Sequence, residues 1–421
     1  MSTIISTETD TALVIANDDL TITPTGAIVL AGPGVALTLQ STFAALIAGR
    51  VEAPDDAAIS ATFAPGDTLT LSDTASVLSA AENTAAIALD GAGIHLESAG
   101  SIAGEATSGV GIAVLAGSGD AVIGNIGSIG GAIGLFGAED THLMVENTAG
   151  GRIIGTDVAI EAVNLSLLNK GVLEGDTAGL LLTGSLDLVN HGRLSGGVFV
   201  ASGTEPRDLP PGVYGSPERT TSTIDNRGVI ENDDEIAIEL GNGADSVANR
   251  GLIDGAVALG GGNDHYYGGG IVDGWVHGQG GADRLAGGDG NDRLFGGSGA
   301  DRIVGRDGND RIVGGYGVDS INAGNGDDTI KGGGGGDRIL TGDGNDLVRY
   351  EINDRHSIIG DFETGHDTID VSDFNLPDFD ALLATATETD GDLVFDLRAN
   401  LDTLTLAGTT LADISEDDFI L

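Results

Sequence analysis

A nine-residue unit repeats eight times without interruption from Gly278 to Arg349. Its consensus is G-G-x-G-x-D-x-U-x, where U is a large aliphatic residue, and GGDGNDRLF at 287–295 is a clear copy. Each copy of so short a unit can bury its apolar side only against neighbouring copies. The repeat therefore predicts a stacked β-solenoid in this segment, with a thin layer of inward-facing aliphatic side chains.

Each position of the unit has a physical role. The glycines permit positive φ angles and a tight turn, and the last three residues are long enough only for a short strand. The sixth position places one carboxylate at the same point of every turn. It is aspartate in all copies: Asp283, Asp292, Asp301, Asp310, Asp319, Asp328, Asp337 and Asp346.

These turns combine backbone carbonyl oxygens with carboxylate oxygens, which are the ligands that calcium prefers. The repeat contains no histidine, and the whole chain contains no cysteine, so it lacks the nitrogen and sulfur ligands that zinc and copper prefer. Aspartate is also common in turns that bind no metal. The strict spacing favours calcium binding over that simpler interpretation.

Residues 278–349 resemble the RTX nonapeptide proteins, whose repeats wind into a calcium-binding parallel β-roll. The resemblance implies that one turn spans two repeats, that aspartates eighteen residues apart share an ion, and that about six or more calcium ions bind. It also implies that glycine carbonyls at the second and fourth positions complete the ligand shells: Gly288, Gly290, Gly297, Gly299, Gly308, Gly315, Gly317, Gly324, Gly326, Gly333, Gly335, Gly342 and Gly344.

The segment after the repeats extends this resemblance. IIGDFETGHDTIDVSDF at 358–374 is similar to the flank of serralysin-type secreted proteins, which makes Asp361, Asp367 and Asp370 candidate further ligands. The final DDFIL resembles the uncleaved C-terminal signal of type I secretion substrates. The N-terminus has no secretory signal, since the first basic residue is Arg50. We therefore expect export by the type I secretion machinery to an extracellular or cell-surface location.

A longer and looser repeat precedes the nonapeptides. It begins with Asn, continues through Gly and then alternates apolar residues; its copies start at Asn125, Asn147, Asn169, Asn190, Asn226 and Asn249. This pattern resembles the right-handed parallel β-helices of bacterial surface proteins. The asparagines either stack as an internal ladder or serve only as turn residues. Asp245, Asp264 and Asp283 follow at intervals of 19, so the coil narrows, and the first two are weaker candidates for calcium ligands.

These patterns predict an all-β chain in which a right-handed parallel β-helix continues into a β-roll. The expected divisions are a β-helix at 1–240, transition coils at 241–277, the roll at 278–349, and a C-terminal cap with the secretion signal at 350–421. The pattern does not fix the register before Ser98. A proline-rich insertion, EPRDLPPGVYGSPER at 205–219, reads as a protruding loop, either a tolerated insertion or a contact loop using Arg207 and Tyr214.

Composition excludes several classes of protein. The net charge of −47 disfavours nucleic-acid binding, and a hydrophobic content of 40% disfavours an acidic disordered chain. No apolar run is long enough for a transmembrane helix. The excess acidity lies mainly outside the roll, because residues 278–349 hold 12 acidic and 8 basic residues.

Motifs for catalysis are lacking. The sequence contains neither HExxH nor GxSxG. Four basic residues do follow ladder asparagines, at Lys170, His191, Arg227 and Arg250, and in register they form a cationic row. That row is either a groove for an acidic polysaccharide or a set of exposed turn positions. An aromatic cluster at 265–277 either packs where the coil narrows or stacks against sugars.

The sequence thus favours a secreted, calcium-binding structural or adhesive protein of the bacterial surface or matrix that folds on binding calcium. One alternative is a polysaccharide lyase or epimerase built on the β-helix. Another is a calcium-dependent filament or surface-layer subunit, because solenoid ends expose unpaired backbone.

Overall fold

A computed structural model shows a chain whose regular secondary structure, within the described residues, is almost entirely β-strand. It describes residues 3–5, 8–9, 11–16, 20–23, 26–29, 34–40, 44–64, 67–80, 84–91, 94–104, 108–114, 119–138, 141–200, 220–399 and 401–421. The insertion predicted at 205–219 lies outside the described residues. The chain divides into two compact units, residues 1–237 and 238–421. Each unit is a stack of parallel coils with strands in two sheets, here named sheet A and sheet B.

The first unit is a parallel β-helix. Its strands in sheet A are Thr3–Ile5, Leu20–Ile22, Ala44–Ile47, Thr68–Leu71, Ile94–Ser98, Gly119–Asn125, Thr141–Asn147, Asn164–Asn169, Leu186–Asn190 and Ser222–Asn226. Its strands in sheet B are Glu8–Thr9, Leu13–Ala16, Ala27–Val29, Leu37–Gln40, Arg50–Ala53, Ile59–Phe63, Ser76–Ser79, Ala85–Gly91, Ser101–Ala103, Val110–Val114, Ser128–Gly137, Arg152–Ala162, Val172–Gly175, Ala178–Leu182, Arg193–Ser195 and Val198–Val200. Val229–Glu239, also in sheet B, includes the boundary between the units.

Alternating side chains build the core of this unit, since successive residues of a strand point to opposite faces. In the strand Thr141–Asn147, for example, alternate residues are buried. The structure also gives the register that the sequence leaves open: Leu20 lies opposite Ala45, and Ala45 lies opposite Leu69. The coils before Ser98 therefore stack in the same parallel manner as the later ones.

The asparagines form the predicted internal ladder. Asn125 donates from Nδ2 to Asn147 Oδ1 at 2.9 Å, and the same bond continues through Asn169, Asn190 and Asn226 at 2.8–2.9 Å. All five side chains are fully buried. The ladder is more than turn chemistry, because each amide satisfies the next one inside the coil.

The second unit contains the roll. Its sheet A strands are Ser246–Asn249, His265–Gly268, Arg284–Ala286, Arg302–Asp307, Ser320–Asn325, Arg338–Asp343 and His356–Ile359, joined by the antiparallel strands Ala386–Thr389, Asp392–Asp396 and Thr403–Leu406. Its sheet B strands are Leu252–Ala258, Ile271–Val272, Val276–Gly280, Arg293–Ser298, Arg311–Gly317, Thr329–Gly335, Leu347–Arg349, Thr368–Asp370 and Phe419–Ile420.

Repeats alternate between the two sheets, so one turn of the roll spans two repeats. Ile303 lies opposite Leu285 in sheet A, and Ile312 lies opposite Leu294 in sheet B. The eighth-position aliphatic residues are buried, as expected from the pattern. The arginines that follow the aspartates are exposed on the outer faces: Arg284, Arg293, Arg302, Arg311 and Arg338.

Among the described residues, helical structure is confined to the C-terminal segment. A 3₁₀ helix covers Ser372–Phe374, an α-helix covers Phe379–Leu383, and a second 3₁₀ helix covers Glu416–Asp418. Asp378 caps the α-helix by accepting the N–H of Ala381 at 2.9 Å. Within the described part of the chain, no helix has the length and apolar character needed to cross a membrane.

Candidate calcium-binding site

The repeat aspartates form two rows, one along each edge of the roll. In each row, the backbone N–H of one aspartate donates to Oδ1 of the aspartate one turn later; for Asp283 and Asp301 this distance is 2.8 Å. Row A consists of Asp245, Asp264, Asp283, Asp301, Asp319 and Asp337. Row B consists of Asp292, Asp310, Asp328, Asp346 and Asp367.

The rows therefore join aspartates that are eighteen residues apart, as the resemblance implies. Asp245 and Asp264 continue row A upstream at intervals of 19 residues. Asp367 continues row B downstream, where it accepts the N–H of Asp346 at 3.2 Å. Three of the weaker candidates from the sequence thus lie in the same rows as the repeat aspartates.

The second carboxylate oxygen is the unusual feature of these rows. While Oδ1 accepts a backbone N–H, Oδ2 is buried and accepts no hydrogen bond. This holds for Asp264, Asp283, Asp301, Asp310, Asp319, Asp328, Asp337 and Asp346. An ionised oxygen removed from water without a donor is strongly unfavourable, so it requires either a proton or a cation.

A backbone carbonyl oxygen lies near several of these Oδ2 atoms. A methyl group built on Gly314, at the first position of its repeat, would lie 2.5 Å from Asp319 Oδ2 and 2.5 Å from the carbonyl oxygen of Gly332, one turn later. The equivalent oxygens one turn earlier, Asp301 Oδ2 and the carbonyl oxygen of Gly314, lie beside Gly296 in the same way. The missing side chain of the first glycine thus leaves a small space lined by a carboxylate and a carbonyl oxygen.

Positive φ angles at the second and fourth positions form the turn. Gly297 has a φ of 112° and Gly299 a φ of 136°, values that glycine adopts without the steric cost of a Cβ. A Cβ on Gly299 would also overlap the carbonyl oxygen of Gly281 in the preceding turn. The first turn of row B differs, because Gly288 and Gly290 do not have positive φ angles.

Both ends of row B are closed by groups of the protein. Asp292 Oδ2 accepts the N–H of Gly288 at 2.7 Å. At the other end, Asp367 Oδ2 accepts the N–H of Glu363 at 2.9 Å and the hydroxyl of Thr341 at 3.1 Å. These two carboxylates have hydrogen-bond donors that the interior members of the row lack.

The remaining candidates of the C-terminal flank lie beside row B. Asp361 Oδ1 accepts the backbone N–H of Thr341 at 2.8 Å. Asp370 lies on a strand outside the row, where its carboxylate faces Arg349 at 3.9 Å. The structure thus brings Asp361 to the row and places Asp370 on the neighbouring surface.

Burial raises the pKa values of the row carboxyls, and neighbouring carboxylates raise several of them further. The pKa of Asp310, Asp337 and Asp346 is about 7, and that of Asp283, Asp319 and Asp328 is about 6. The hydrogen bond from the backbone N–H opposes this rise in each case. The folded rows therefore hold their charge poorly at neutral pH unless a cation neutralises it.

The donor set fits calcium. Among the described residues, no three histidine or acidic side chains converge on one point; the rows instead offer one carboxylate per turn together with glycine carbonyls. Calcium accepts such mixed oxygen donors, including backbone carbonyls. The residues that would hold it are the row aspartates and the glycines at the turns between them.

The comparison with family models agrees with this geometry. The model described as "RTX calcium-binding nonapeptide repeat (4 copies)" matches twice, at 277–312 and 313–348. Residues 277–348 are RTX calcium-binding repeats. The matched segment, 277–348, and the eight repeats read from the sequence, 278–349, differ by one residue at each end.

Two solved structures are similar to parts of the chain. The AlgE6R3 subunit of the mannuronan C5-epimerase from Azotobacter vinelandii is 25% identical over 33% of this chain and 79% of that chain, with a TM-score of 0.22. The extracellular lipase LipA from Serratia marcescens is 16% identical over 48% of this chain and 45% of that chain, with a TM-score of 0.12. None of the curated proteins compared matches the chain.

The predicted cationic row is in register within the first unit. The backbone N–H groups of Lys170, His191 and Arg227 each donate to a ladder asparagine of the preceding coil at 2.7 Å. Two of these side chains are paired with acidic neighbours on the same surface: Lys170 lies 3.2 Å from Glu146, and Arg227 lies 2.9 Å from Asp225. Arg250 belongs to the second unit.

The aromatic cluster divides into two parts. Trp275 lies edge-on to His277 at 5.5 Å, and His277 stacks on Phe295 at 5.9 Å. Tyr266 is buried in the coil, at the position that the repeats fill with an aliphatic residue, whereas Tyr267 is exposed. The cluster therefore includes a core residue of the narrowing coil as well as surface rings.

Arg306 is a residue at the turns of the roll that the repeat pattern conceals, because it stands where the consensus has glycine. It has a φ of 90°, and its guanidinium group donates to the carbonyl oxygens of Gly268 and Gly287. A positive charge at a consensus glycine was the only sequence signal for this role. Ser357, which accepts the N–H of Asp337 at 3.2 Å and so ends row A, gave no such signal.

Proposed function

We propose that this protein is a secreted structural or adhesive protein whose roll folds when calcium becomes available outside the cell. The observation that carries the proposal is the set of buried Oδ2 atoms without donors in rows A and B. When bound, calcium supplies the positive charge that offsets the burial of these carboxylates.

Without such a charge, the residues of the roll oppose folding. The rows bring carboxylates of adjacent turns together in a buried setting, and the many glycines lose much conformational freedom on folding. The hydrophobic core of the roll receives only one large aliphatic side chain from each repeat. A cation that binds the folded rows but not the unfolded chain therefore stabilises the fold through linkage. We expect the chain to remain unfolded in the roll at low calcium, which favours export by a type I system.

A calcium titration of the full chain, followed by far-ultraviolet circular dichroism, tests the proposal. We expect β-content to rise from chelator to millimolar calcium. Asp319→Asn, in the middle of row A, should shift this transition to higher calcium. Asp289→Asn is the matched control, because Asp289 is exposed in its repeat and lies outside both rows. Unchanged β-content of the wild-type chain between chelator and calcium would contradict the proposal.

The polysaccharide-enzyme and filament alternatives rest on weaker grounds. Lys170 and Arg227 pair with Glu146 and Asp225, so the row presents less free positive charge than the sequence indicates. An absorbance assay for unsaturated uronate products on alginate and pectin tests the enzyme, and electron microscopy in calcium tests the filament. Lyase activity lost in Lys170→Ala would favour the enzyme over a structural protein.

A further inference from the structure

Row A begins before the matched repeats. The family match starts at residue 277, yet Asp264 donates and accepts the same inter-turn bonds as the repeat aspartates. Asp264 Oδ1 accepts the N–H of Asp245 at 2.8 Å, and the N–H of Asp264 donates to Asp283 Oδ1 at 2.8 Å. The upstream coil thus has the hydrogen bonding of the roll, although each of its turns is one residue longer.

The sequence around Asp264 follows the nonapeptide closely. Residues 259–267 read LGGGNDHYY and residues 240–248 read LGNGADSVA, with glycine at the second and fourth positions and aspartate at the sixth. The eighth positions, Tyr266 and Val247, are buried as in the repeats. Leucine in place of the first glycine separates both segments from the consensus, and Tyr266 is an aromatic residue where the consensus has an aliphatic one. Repeat 323–331 has alanine at the first position and still keeps Asp328 Oδ2 buried without a donor.

The backbone of the upstream turn also matches that of the roll. Gly260 and Gly262 have φ angles of 95° and 145°. The N–H of Gly262 donates to the carbonyl oxygen of Gly280 at 2.6 Å. One turn later, the N–H of Gly281 donates in the same way to the carbonyl oxygen of Ser298 at 2.8 Å. A Cβ on Gly262 would overlap the carbonyl oxygen of Gly243, just as one on Gly281 would overlap that of Gly262. The column of turn carbonyls therefore runs on without a break into the upstream coils.

The side chain of Asp264 itself points to a ligand. It is fully buried, with a relative exposure of 0%, and its Oδ2 accepts no hydrogen bond. No described basic residue forms an ion pair with it. A buried carboxylate oxygen in this state requires either a proton or a cation.

We infer that the calcium-binding row extends two turns upstream of the RTX repeats. In this extension, Asp264 binds one calcium ion that it shares with Asp283 and a second ion that it shares with Asp245. The inference rests on the proposed function, since it assigns further ions of the same kind. Asp245 is the first described member of the row, so we assign it to one of these ions only.

The number of calcium ions bound by the full chain tests this inference. Equilibrium dialysis with calcium should give two ions fewer for Asp264→Asn than for the wild type, and one fewer for Asp245→Asn. Asp273→Asn is the matched control, because Asp273 is exposed on the same coils and should leave the number unchanged. Asn keeps the Oδ1 acceptor for the N–H of Asp245, so the hydrogen bond between the turns can persist.

Two further measurements separate the possible failures. Asp301→Asn, inside the matched repeats, should also lose two ions, and circular dichroism in saturating calcium checks that each variant retains its β-content. An unchanged ion count for Asp264→Asn beside a reduced count for Asp301→Asn would overturn the upstream extension alone. A wild-type chain that binds no calcium would instead overturn the proposed function. Loss of β-content in Asp264→Asn but not in Asp301→Asn would assign Asp264 a structural role and also overturn the extension.

Discussion

The guanidinium group of Arg306 donates to the carbonyl oxygen of Gly287 at 2.8 Å, so a protein cation lies at the first turn of row B. The same group donates to Gly268 at 3.1 Å and lies 4.5 Å from the ring centre of Tyr267. Its charge also opposes the rise in the pKa of Asp292 that burial causes. Gly287 is the first glycine of its repeat, and Asp292 Oδ2 already has a donor in Gly288. This end of row B is therefore neutralised by the chain itself.

Replacing Arg306 with glycine should open this end of row B to calcium. Arg306→Gly restores the repeat consensus and suits the φ of 90°, while it removes the positive charge beside Asp292. We expect the variant to bind one calcium ion more than the wild type in equilibrium dialysis. Arg302→Ala removes an exposed arginine that, among the described residues, donates to no turn carbonyl, and it should leave the number unchanged. Equal ion counts for Arg306→Gly and the wild type would contradict this prediction.

Acid should partly replace calcium in stabilising the roll. Burial raises the pKa of Asp310, Asp337 and Asp346 to about 7, well above the ordinary value of 3.8 that applies in the unfolded chain. Between these values the folded rows bind more protons than the unfolded chain, so the stability of the calcium-free roll is greatest at low pH and falls as the pH rises through about 7. In chelator, β-content should therefore increase from pH 8 to pH 5.

Calcium binding should show the opposite dependence on pH. Protons compete for the same carboxylates, so the calcium concentration at half-saturation should rise as the pH falls from 8 to 5. A double variant, Asp310→Asn with Asp319→Asn, removes two titrating carboxyls and should show a smaller gain of β-content with acid. If β-content in chelator is flat or falls on acidification, the pKa values do not control the stability of the roll.

The sequence predicts the roll much better than the ends of its rows. Glycine and aspartate at fixed spacing specify the turn, because positive φ angles and a repeated carboxylate are local requirements. The spacing of Asn169 and Asn190 left an inward ladder and plain turn chemistry open, and the hydrogen bond between the two side chains decides for the ladder. The closures by Arg306, Thr341 and Ser357 were not predictable, since they depend on which side chain of another turn reaches a particular carbonyl or carboxylate. The pairing of Lys170 with Glu146 escaped prediction for the same reason.

Two fourth-position glycines should respond differently to alanine. Gly317 has a φ of 145°, and a Cβ there would overlap the carbonyl oxygen of Gly299, whereas a Cβ on Gly290 would meet nothing within 4 Å. Gly317→Ala should lower the free energy of unfolding in calcium by at least about 2 kcal/mol, since both strain and overlap oppose the fold. Gly290→Ala should change it by less than about 0.5 kcal/mol. Urea denaturation at fixed calcium measures both, and similar losses would show that the turns at Gly290 and Gly317 are alike.

The asparagine ladder should stabilise the β-helix independently of calcium. Asn169 donates to Asn190 Oδ1 at 2.8 Å and accepts from Asn147 Nδ2 at 2.9 Å, and it is fully buried. Asn169→Ala removes the amide donor to Asn190 Oδ1 and the acceptor of one Nδ2–H of Asn147, whose other bond to the carbonyl oxygen of Val172 remains. This loss should lower the free energy of unfolding of the first unit by about 2–4 kcal/mol. Lys170→Ala, at the next residue, removes only the exposed pair with Glu146 and should cost less than about 1 kcal/mol. Urea unfolding in chelator and in calcium should give the same loss for Asn169→Ala, and a loss seen only in calcium would show that the ladder depends on the roll.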